Sequence, residues 1–290
     1  MQFHVKKLQF DKPENIDKIF INYDNTMALT DKCGKVLLYS NEEENNPMLI
    51  TNYQDHKALI MDLAFAPFKY PFHVLTCSYD RSISIRSQSE QVFFYKETEP
   101  SCGFFVCCTF VNTESDSLRF LVGNSNGYLF DFNTQNNFIP TKHALFSENI
   151  LALEAIDNEC ILVCSNGHMP RIYVDYDFQD YLEIESDFTK DKYKLAKITG
   201  NKREAKIILV NHENCIEIYR FDRENHSIIK EAQTQSDNKI LAVAWNFSGH
   251  SINLFGYDNK FNEFDAKILK ENLEMLGTWD WVELNREKLE

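Results

Sequence analysis

Along most of this chain, apolar and polar residues alternate with a period of two over short stretches, and clusters of turn-forming residues separate the stretches. That pattern predicts half-buried β-strands, because successive side chains of a strand point to opposite faces. The clearest unit covers 56–86. It reads His56-Lys-Ala-Leu-Ile-Met-Asp-Leu-Ala-Phe-Ala-Pro67, then Val74-Leu-Thr-Cys-Ser-Tyr-Asp80-Arg-Ser-Ile-Ser-Ile85. Pro67-Phe-Lys-Tyr-Pro71 joins the halves as a turn, since its prolines cannot donate to a ladder. A tighter turn at Tyr79-Asp80-Arg81 leads into the next strand. The same design closes the chain. Leu241-Ala-Val-Ala-Trp-Asn is one strand, Ser251-Ile-Asn-Leu-Phe another, with a turn at Phe247-Ser-Gly249-His and a tight turn at Tyr257-Asp258-Asn259.

Four weaker copies fill the remainder. The first uses Ile19-Phe-Ile-Asn, Met27-Ala-Leu and Val36-Leu-Leu-Tyr. The third uses Val106-Cys-Cys-Thr-Phe, Phe120-Leu-Val and Tyr128-Leu-Phe-Asp-Phe. The fourth takes Ile150–Ile156, Cys160–Cys164 and Arg171-Ile-Tyr-Val. The fifth takes Leu195-Ala-Lys-Ile, Lys206-Ile-Ile-Leu-Val and Ile216-Glu-Ile-Tyr. A fourth strand is visible in most copies, as in Gln91-Val-Phe-Phe-Tyr and Ile228-Ile-Lys-Glu-Ala, and Trp279-Asp-Trp281 reads as a terminal outer strand. Tight turns centre near Gly34, Asp80, Gly127, Gly167, Glu213 and Asp258, at successive spacings of 46, 47, 40, 46 and 45 residues. A period of roughly 40–45 residues with four strands per unit is that of WD-type repeats. The expected fold is therefore all-β: a six-bladed WD-type β-propeller in a single domain, 1–290. Its blades fall near 11–55, 56–100, 101–146, 147–190, 191–237 and 238–284, with an N-terminal strand at 3–10. One segment, Lys267–Leu276, is expected to be helical.

Composition narrows the function. The chain has 290 residues, 13% aromatic, and a formal net charge of −14. Non-specific nucleic-acid binding relies on clustered Lys and Arg that displace counterions, so direct nucleic-acid binding is not expected. Adsorption to an anionic membrane is disfavoured for the same reason. Met1-Gln-Phe-His-Val-Lys-Lys lacks a signal-peptide core, and no stretch has the roughly 20 apolar residues of a transmembrane helix. A soluble, cytoplasmic protein is the expectation. Most of the eight cysteines lie in apolar strand-like runs and form no C-x-x-C pair, so free thiols are expected rather than a zinc site.

His56 to Ile85, with Ala66-Pro67 followed by Tyr70-Pro71 and then Leu75-Thr-Cys-Ser-Tyr-Asp80, resembles the second blade of the Sec-thirteen and Seh-one family. These are propellers of the COPII outer coat and of the nuclear pore outer ring. Ala242-Val-Ala-Trp-Asn-Phe-Ser-Gly249, Tyr257-Asp-Asn-Lys260, Lys270-Glu-Asn-Leu-Glu274 and Trp279 resemble that family's closing blade, nearer to Sec-thirteen. The match departs where no repeat closes its third strand with Trp-Asp; Arg86 stands where Trp would. The resemblance implies a propeller open between its first and last blades. It further implies a non-catalytic scaffold that binds the inserted blade of an α-solenoid partner: a Sec-thirty-one type coat subunit or a nucleoporin. Location would be cytoplasmic, at ER exit sites and COPII vesicles and at the nuclear envelope, with membrane contact only through the coat. An unclosed sheet edge leaves backbone groups unpaired, which β-augmentation would satisfy. The expected edge residues are Phe3, Val5, Leu8 and Phe10 with Leu254, Phe261 and Phe264. The alternatives are a subunit of the nuclear pore alone, or a closed propeller acting as a peptide-binding adaptor.

No catalytic, cofactor or metal constellation is expected. His56, Ser78 and Asp80 carry the three residue types of a hydrolase triad, but no G-x-S-x-G elbow accompanies them. In WD repeats such residues build a structural hydrogen-bond network, and Asp258 is the corresponding turn residue of the last repeat. Gly123-Asn-Ser-Asn-Gly127 continues into the strand Tyr128-Leu-Phe rather than a Lys-Ser/Thr helix start, so it reads as a hairpin turn, not a phosphate loop. The acidic run Asn41-Glu-Glu-Glu-Asn-Asn reads as a solvated connecting loop.

Overall fold

Alternation dictates strands, and strands dominate the computed structural model of this chain. The structure describes residues 16–22, 26–40, 48–67, 73–113, 117–188, 193–237, 239–245, 250–257, 264–271 and 279–282. They form 24 strands and two single-turn 3-10 segments, arranged as six four-stranded antiparallel sheets. Each sheet takes its strands consecutively from the chain. No helix among the described residues is long and apolar enough to cross a membrane.

The chain forms two compact units, divided between Leu153 and Glu154. The first holds three sheets. One is β1 (Ile16–Ile21), β2 (Met27–Asp31), β3 (Lys35–Ser40) and β4 (Met48–Gln54). The next is β5 (Ile60–Phe65), β6 (His73–Ser78), β7 (Ser82–Ser87) and β8 (Glu90–Lys96). The third is β9 (Phe105–Val111), β10 (Arg119–Asn124), β11 (Tyr128–Asn133) and β12 (Thr141–Ala144). Its largest core unites Leu75, Ile83 and Ile85 with Phe105, Phe110, Phe120, Phe130 and Phe132. Phe120 stacks on Phe132 with centroids 4.7 Å apart, and Phe105 meets Phe130 edge-on at 5.1 Å. Such ring pairs add about 0.5–1.5 kcal/mol each beyond simple area burial.

Strand β13 (Ile150–Asp157) spans the boundary in sequence. Its sheet continues with β14 (Cys160–Ser165), β15 (Arg171–Tyr173) and β16 (Tyr181–Glu183). The second unit adds β17 (Tyr193–Gly200), β18 (Glu204–Asn211), β19 (Cys215–Asp222) and β20 (Ser227–Gln235). Its last sheet is β21 (Lys239–Trp245), β22 (Ser251–Tyr257), β23 (Phe264–Glu271) and β24 (Trp279–Val282). Ile208, Val210, Ile216 and Ile218 pack there with Ile240, Val243, Ile252 and Leu254.

The helix expected over Lys267–Leu276 does not form over its described part. Lys267 to Glu271 belong to β23, which pairs with β22 from Ser251↔Lys270 to Tyr257↔Phe264 and with β24 on its other side. Ladder pairing on both edges outweighs the helix propensity of a Lys-, Leu- and Glu-rich segment, a tertiary override of a weak local preference.

One turn recurs between the second and third strands. In four sheets the fourth turn residue donates its N–H to the carbonyl of the first: Gly34 to Asp31, Arg81 to Ser78, Gly127 to Asn124 and Asn214 to Asn211. That fourth residue has positive φ, from 63° to 88°. The first residue caps the turn with its side chain. Asp31 Oδ1 accepts from the N–H groups of Cys33 and Lys35, Asn124 Oδ1 from Asn126 and Tyr128, and Asn211 Oδ1 from Glu213 and Cys215. Asx side chains favour this arrangement because they mimic a backbone carbonyl at the turn start. At Gly127 an added Cβ would lie 2.1 Å from the Phe146 carbonyl oxygen. The turn is thus pressed against the next connector, and only glycine fits.

Candidate functional site

The most organised polar cluster is centred on His56, which is 1% exposed. Its Nδ1 lies 2.7 Å from Ser82 Oγ and its Nε2 2.7 Å from Thr76 Oγ1. Ser82 in turn donates its hydroxyl to Asp80 Oδ1. Asp80 also accepts from the N–H of Lys57 at 2.6 Å and of Ser82 at 2.9 Å. Burial alone raises a carboxyl pKa, but these donors outweigh it and hold Asp80 below its ordinary value. His56 moves down as well, because burial disfavours the imidazolium more than the Asp80 charge favours it. A neutral ring has one donor. Ser82 spends its proton on Asp80, so Nδ1–H donates to Ser82 and Nε2 accepts from Thr76.

This order settles what the cluster does. In a hydrolase the histidine stands between the nucleophile and the carboxylate. Here the serine stands between histidine and carboxylate, and both His56 and Ser82 are buried. The network fastens the connector before β5 to β6 and to the turn before β7. Ser78 meets Asp80 but not the imidazole: its hydroxyl donates to the Leu59 carbonyl at 3.0 Å and accepts from the Asp80 N–H at 3.2 Å. The hydroxyls that touch the imidazole are those of Ser82 and Thr76, a correction to the role expected of Ser78. Ser78 heads the recurring turn, so its hydroxyl is committed to that turn's backbone. The signal lay in polar residues set among a buried apolar run: Thr76, Ser82 and Ser84 are interleaved with buried Leu75, Cys77, Ile83 and Ile85.

Where Trp would close the third strand, Arg86 makes a different bond. Its Nε and Nη2 reach the Asp55 carboxylate at 2.9 and 2.6 Å, and Asp55 also accepts from Ser84 Oγ at 2.6 Å. The guanidinium lies 4.7 Å from the centroid of the Tyr53 ring. A bidentate pair plus stacking replaces the indole. An analogous fastener recurs on β19. Fully buried Glu217 accepts from Lys230 Nζ at 2.6 Å, from Tyr219 OH at 2.8 Å and from the Asp187 N–H at 3.2 Å. In both cases a third strand is tied to the connector that precedes its sheet.

Glu97, Glu99 and Cys102 bring ligand-type atoms within 4.8 Å of one another. Lys142 already supplies the cation there, 2.9 Å from Glu97 Oε2 and 3.5 Å from Cys102 Sγ. Burial opposes ionisation of Glu97, but the Glu99 N–H and the Lys142 ammonium prevail and bring its pKa to about 2. The cluster is an internal ion pair.

The remaining expected edge residues are placed as follows. Phe3, Val5, Leu8, Phe10, Phe261 and the turn residue Asp258 lie outside the described residues. Phe264 opens β23 opposite Tyr257, and β23 is an inner strand between β22 and β24, so Phe264 is not an edge residue. Leu254 lies on β22, an inner strand, and is 3% exposed in the core, so it is not an edge residue. Its backbone is already paired with Val243 and Lys267 on either side, and its side chain packs in the core.

All-β sheets of four consecutive antiparallel strands, fastened by a His–Ser–Asp cluster beside the tight turn, define the fold class as a WD-type β-propeller. No family model and no curated protein matches the sequence. Solved structures do match it in fold. The chain is similar to the solved structure of U3-55K, a WD40 β-propeller protein, with a TM-score of 0.72 over 95% of this chain and 83% of that one, at 8% identity. In all, 1405 solved chains match, so the likeness defines architecture and leaves the partner to be argued from the site.

Proposed function

We propose that this chain is a non-catalytic scaffold subunit, a single propeller that accepts a β-blade from an α-solenoid partner in the COPII vesicle coat or the nuclear pore outer ring. The propeller fold suggests a protein-interaction scaffold. One observation carries the finer reading. The last sheet draws all four of its strands from Lys239–Val282, and the first draws all four from Ile16–Gln54. A ring closed by strand exchange would instead need an N-terminal strand to complete the last blade. Among the described residues each end sheet has four strands of its own, and an incoming blade would satisfy their flanks through backbone bonds and apolar packing. The residue resemblance over His56–Ile85 and at segments between Ala242 and Trp279 supports the same assignment, at ER exit sites and the nuclear envelope.

Affinity capture from native cells, with co-purifying chains identified by mass spectrometry, tests the reading. The expected result is one large partner whose sequence carries a short β segment followed by an α-solenoid. Its identity as coat subunit or nucleoporin decides between vesicle coat and nuclear pore. Recovery of ubiquitin-ligase or chromatin subunits without a solenoid partner refutes the donated blade and favours a closed, peptide-binding adaptor.

A further inference from the structure

We infer that the tight-turn side of the first two sheets is a docking surface for an acidic peptide segment bearing an aromatic or large apolar side chain. The surface is independent of any donated blade and lies wholly within the unit His4–Leu153.

Its charge is sorted by the turn chemistry. The carboxylates serve the interior: Asp31 caps its own turn, Asp55 holds Arg86 and Ser84, and Asp80 holds Lys57 N–H and Ser82. The side chains of Asp55 and Asp80 are only 4% and 9% exposed. The cations of the same turns go the other way. Lys32, Lys35 and Lys57 are exposed and Arg81 is half-buried, while exposed Lys96 is held on Asp80. These positions adjoin. Gln54 Nε2 donates to the Cys33 carbonyl at 2.8 Å, and a Cβ on Gly34 would sit 2.7 Å from the Ala58 carbonyl oxygen. Lys57 N–H reaches Asp80, and Lys96 lies opposite Ser82 in the ladder with its Nζ on the Asp80 carbonyl. Basic residues therefore stand on adjoining turns of two sheets in a chain whose net charge is −14.

An aromatic platform adjoins these basic residues. Tyr79 is 54% exposed, with its ring centroid 4.4 Å from that of Phe104. Both backbones are pinned: Tyr79 N–H donates to the Leu59 carbonyl at 3.0 Å, and Phe104 N–H to Ser125 Oγ at 3.1 Å. A large ring held in place before binding loses little entropy on contact, and Tyr is among the residues enriched at binding hot spots. Exposed cations beside a fixed aromatic complement carboxylates beside an aromatic or apolar anchor. A nucleic acid fits less well. Its long phosphate run would extend from these turns over the acidic remainder of the surface.

Fluorescence anisotropy with the full chain tests this. The probe is a fluorescein-labelled synthetic peptide of Glu and Asp around one central Phe. Controls are the same peptide with Lys for every acid, and an oligouridylate of equal length. The acidic peptide is expected to bind, and raising salt from about 50 to 300 mM to weaken it by about tenfold, as exposed charges become screened. Tyr79→Ser should weaken binding by about tenfold, and Lys35→Ser with Lys57→Ser by about fivefold with a flatter salt response. Tyr79→Phe should bind as the unmodified chain does, and circular dichroism should show every variant folded. The inference is overturned if the acidic peptide does not bind, if the Lys peptide binds equally, if the oligouridylate binds more tightly, or if folded Tyr79→Ser binds unchanged.

Discussion

Replacing Asp80 with Ala removes the carboxylate that accepts from Lys57 N–H, Ser82 N–H and Ser82 Oγ. A net contribution of about 1 kcal/mol per bond gives a loss of about 3 kcal/mol. The Lys96 ion pair at 3.7 Å adds little, because that lysine is exposed to solvent. The deficit has a pH signature. Asp80 has a lowered folded pKa, so its stabilisation is present above its unfolded value, near 3.8, and is lost as pH falls through the folded one. Urea denaturation followed by circular dichroism at pH 7 should show the full gap between Asp80→Ala and the unmodified chain. The gap should narrow on acidification below about pH 4. A deficit under about 0.5 kcal/mol at pH 7, or one that does not change with pH, would refute the assigned role of Asp80.

Other outcomes follow from buried geometry. Arg119, fully buried, meets Asp131 through two bonds of 3.0 and 2.7 Å. Asp131→Ala should cost about 3–5 kcal/mol in urea denaturation, and the double change Arg119→Met with Asp131→Leu should cost less, because no charge is left stranded. Gly127→Ala, with φ at +78° and a Cβ 2.1 Å from the Phe146 carbonyl oxygen, should lower stability by about 3 kcal/mol in the same assay. Native thiol labelling read by peptide mass spectrometry should modify exposed Cys33 first. Buried Cys77, Cys107, Cys108, Cys160 and Cys164 should react only after unfolding; burial pushes the Cys160 thiol up to about 12. Early labelling of Cys160 or Cys164 would contradict the packing.

Strands were legible wherever alternation was clean. Lys206–Val210 and Ile216–Tyr219 fall within β18 and β19, and the outer strands at Gln91–Tyr95 and Ile228–Ala232 within β8 and β20. Turn positions were legible because Asp, Asn and Gly have conformational reasons to be there. What could not be read was three-dimensional partnership. Sequence spacing pointed to His56, Ser78 and Asp80, but the hydroxyls touching the imidazole come from Ser82 and Thr76. Arg86 was recognisable as the residue in the Trp position; its bond to Asp55, 31 residues away, was not. The Lys267–Leu276 segment failed for a related reason. Its composition favours a helix, and only the pairing of β23 with β22 and β24 overrides that preference.

Hydrogen–deuterium exchange on the chain, alone and bound to its captured solenoid partner, tests the donated-blade account most directly. In the isolated chain the flanking strands of the first and last sheets, Ile16–Ile21 and Trp279–Val282, should exchange faster than inner strands such as Arg119–Asn124. Complex formation should protect both flanks and leave the inner strands unchanged. Equal protection of those flanks with and without the partner would contradict the account and leave a closed propeller in its place.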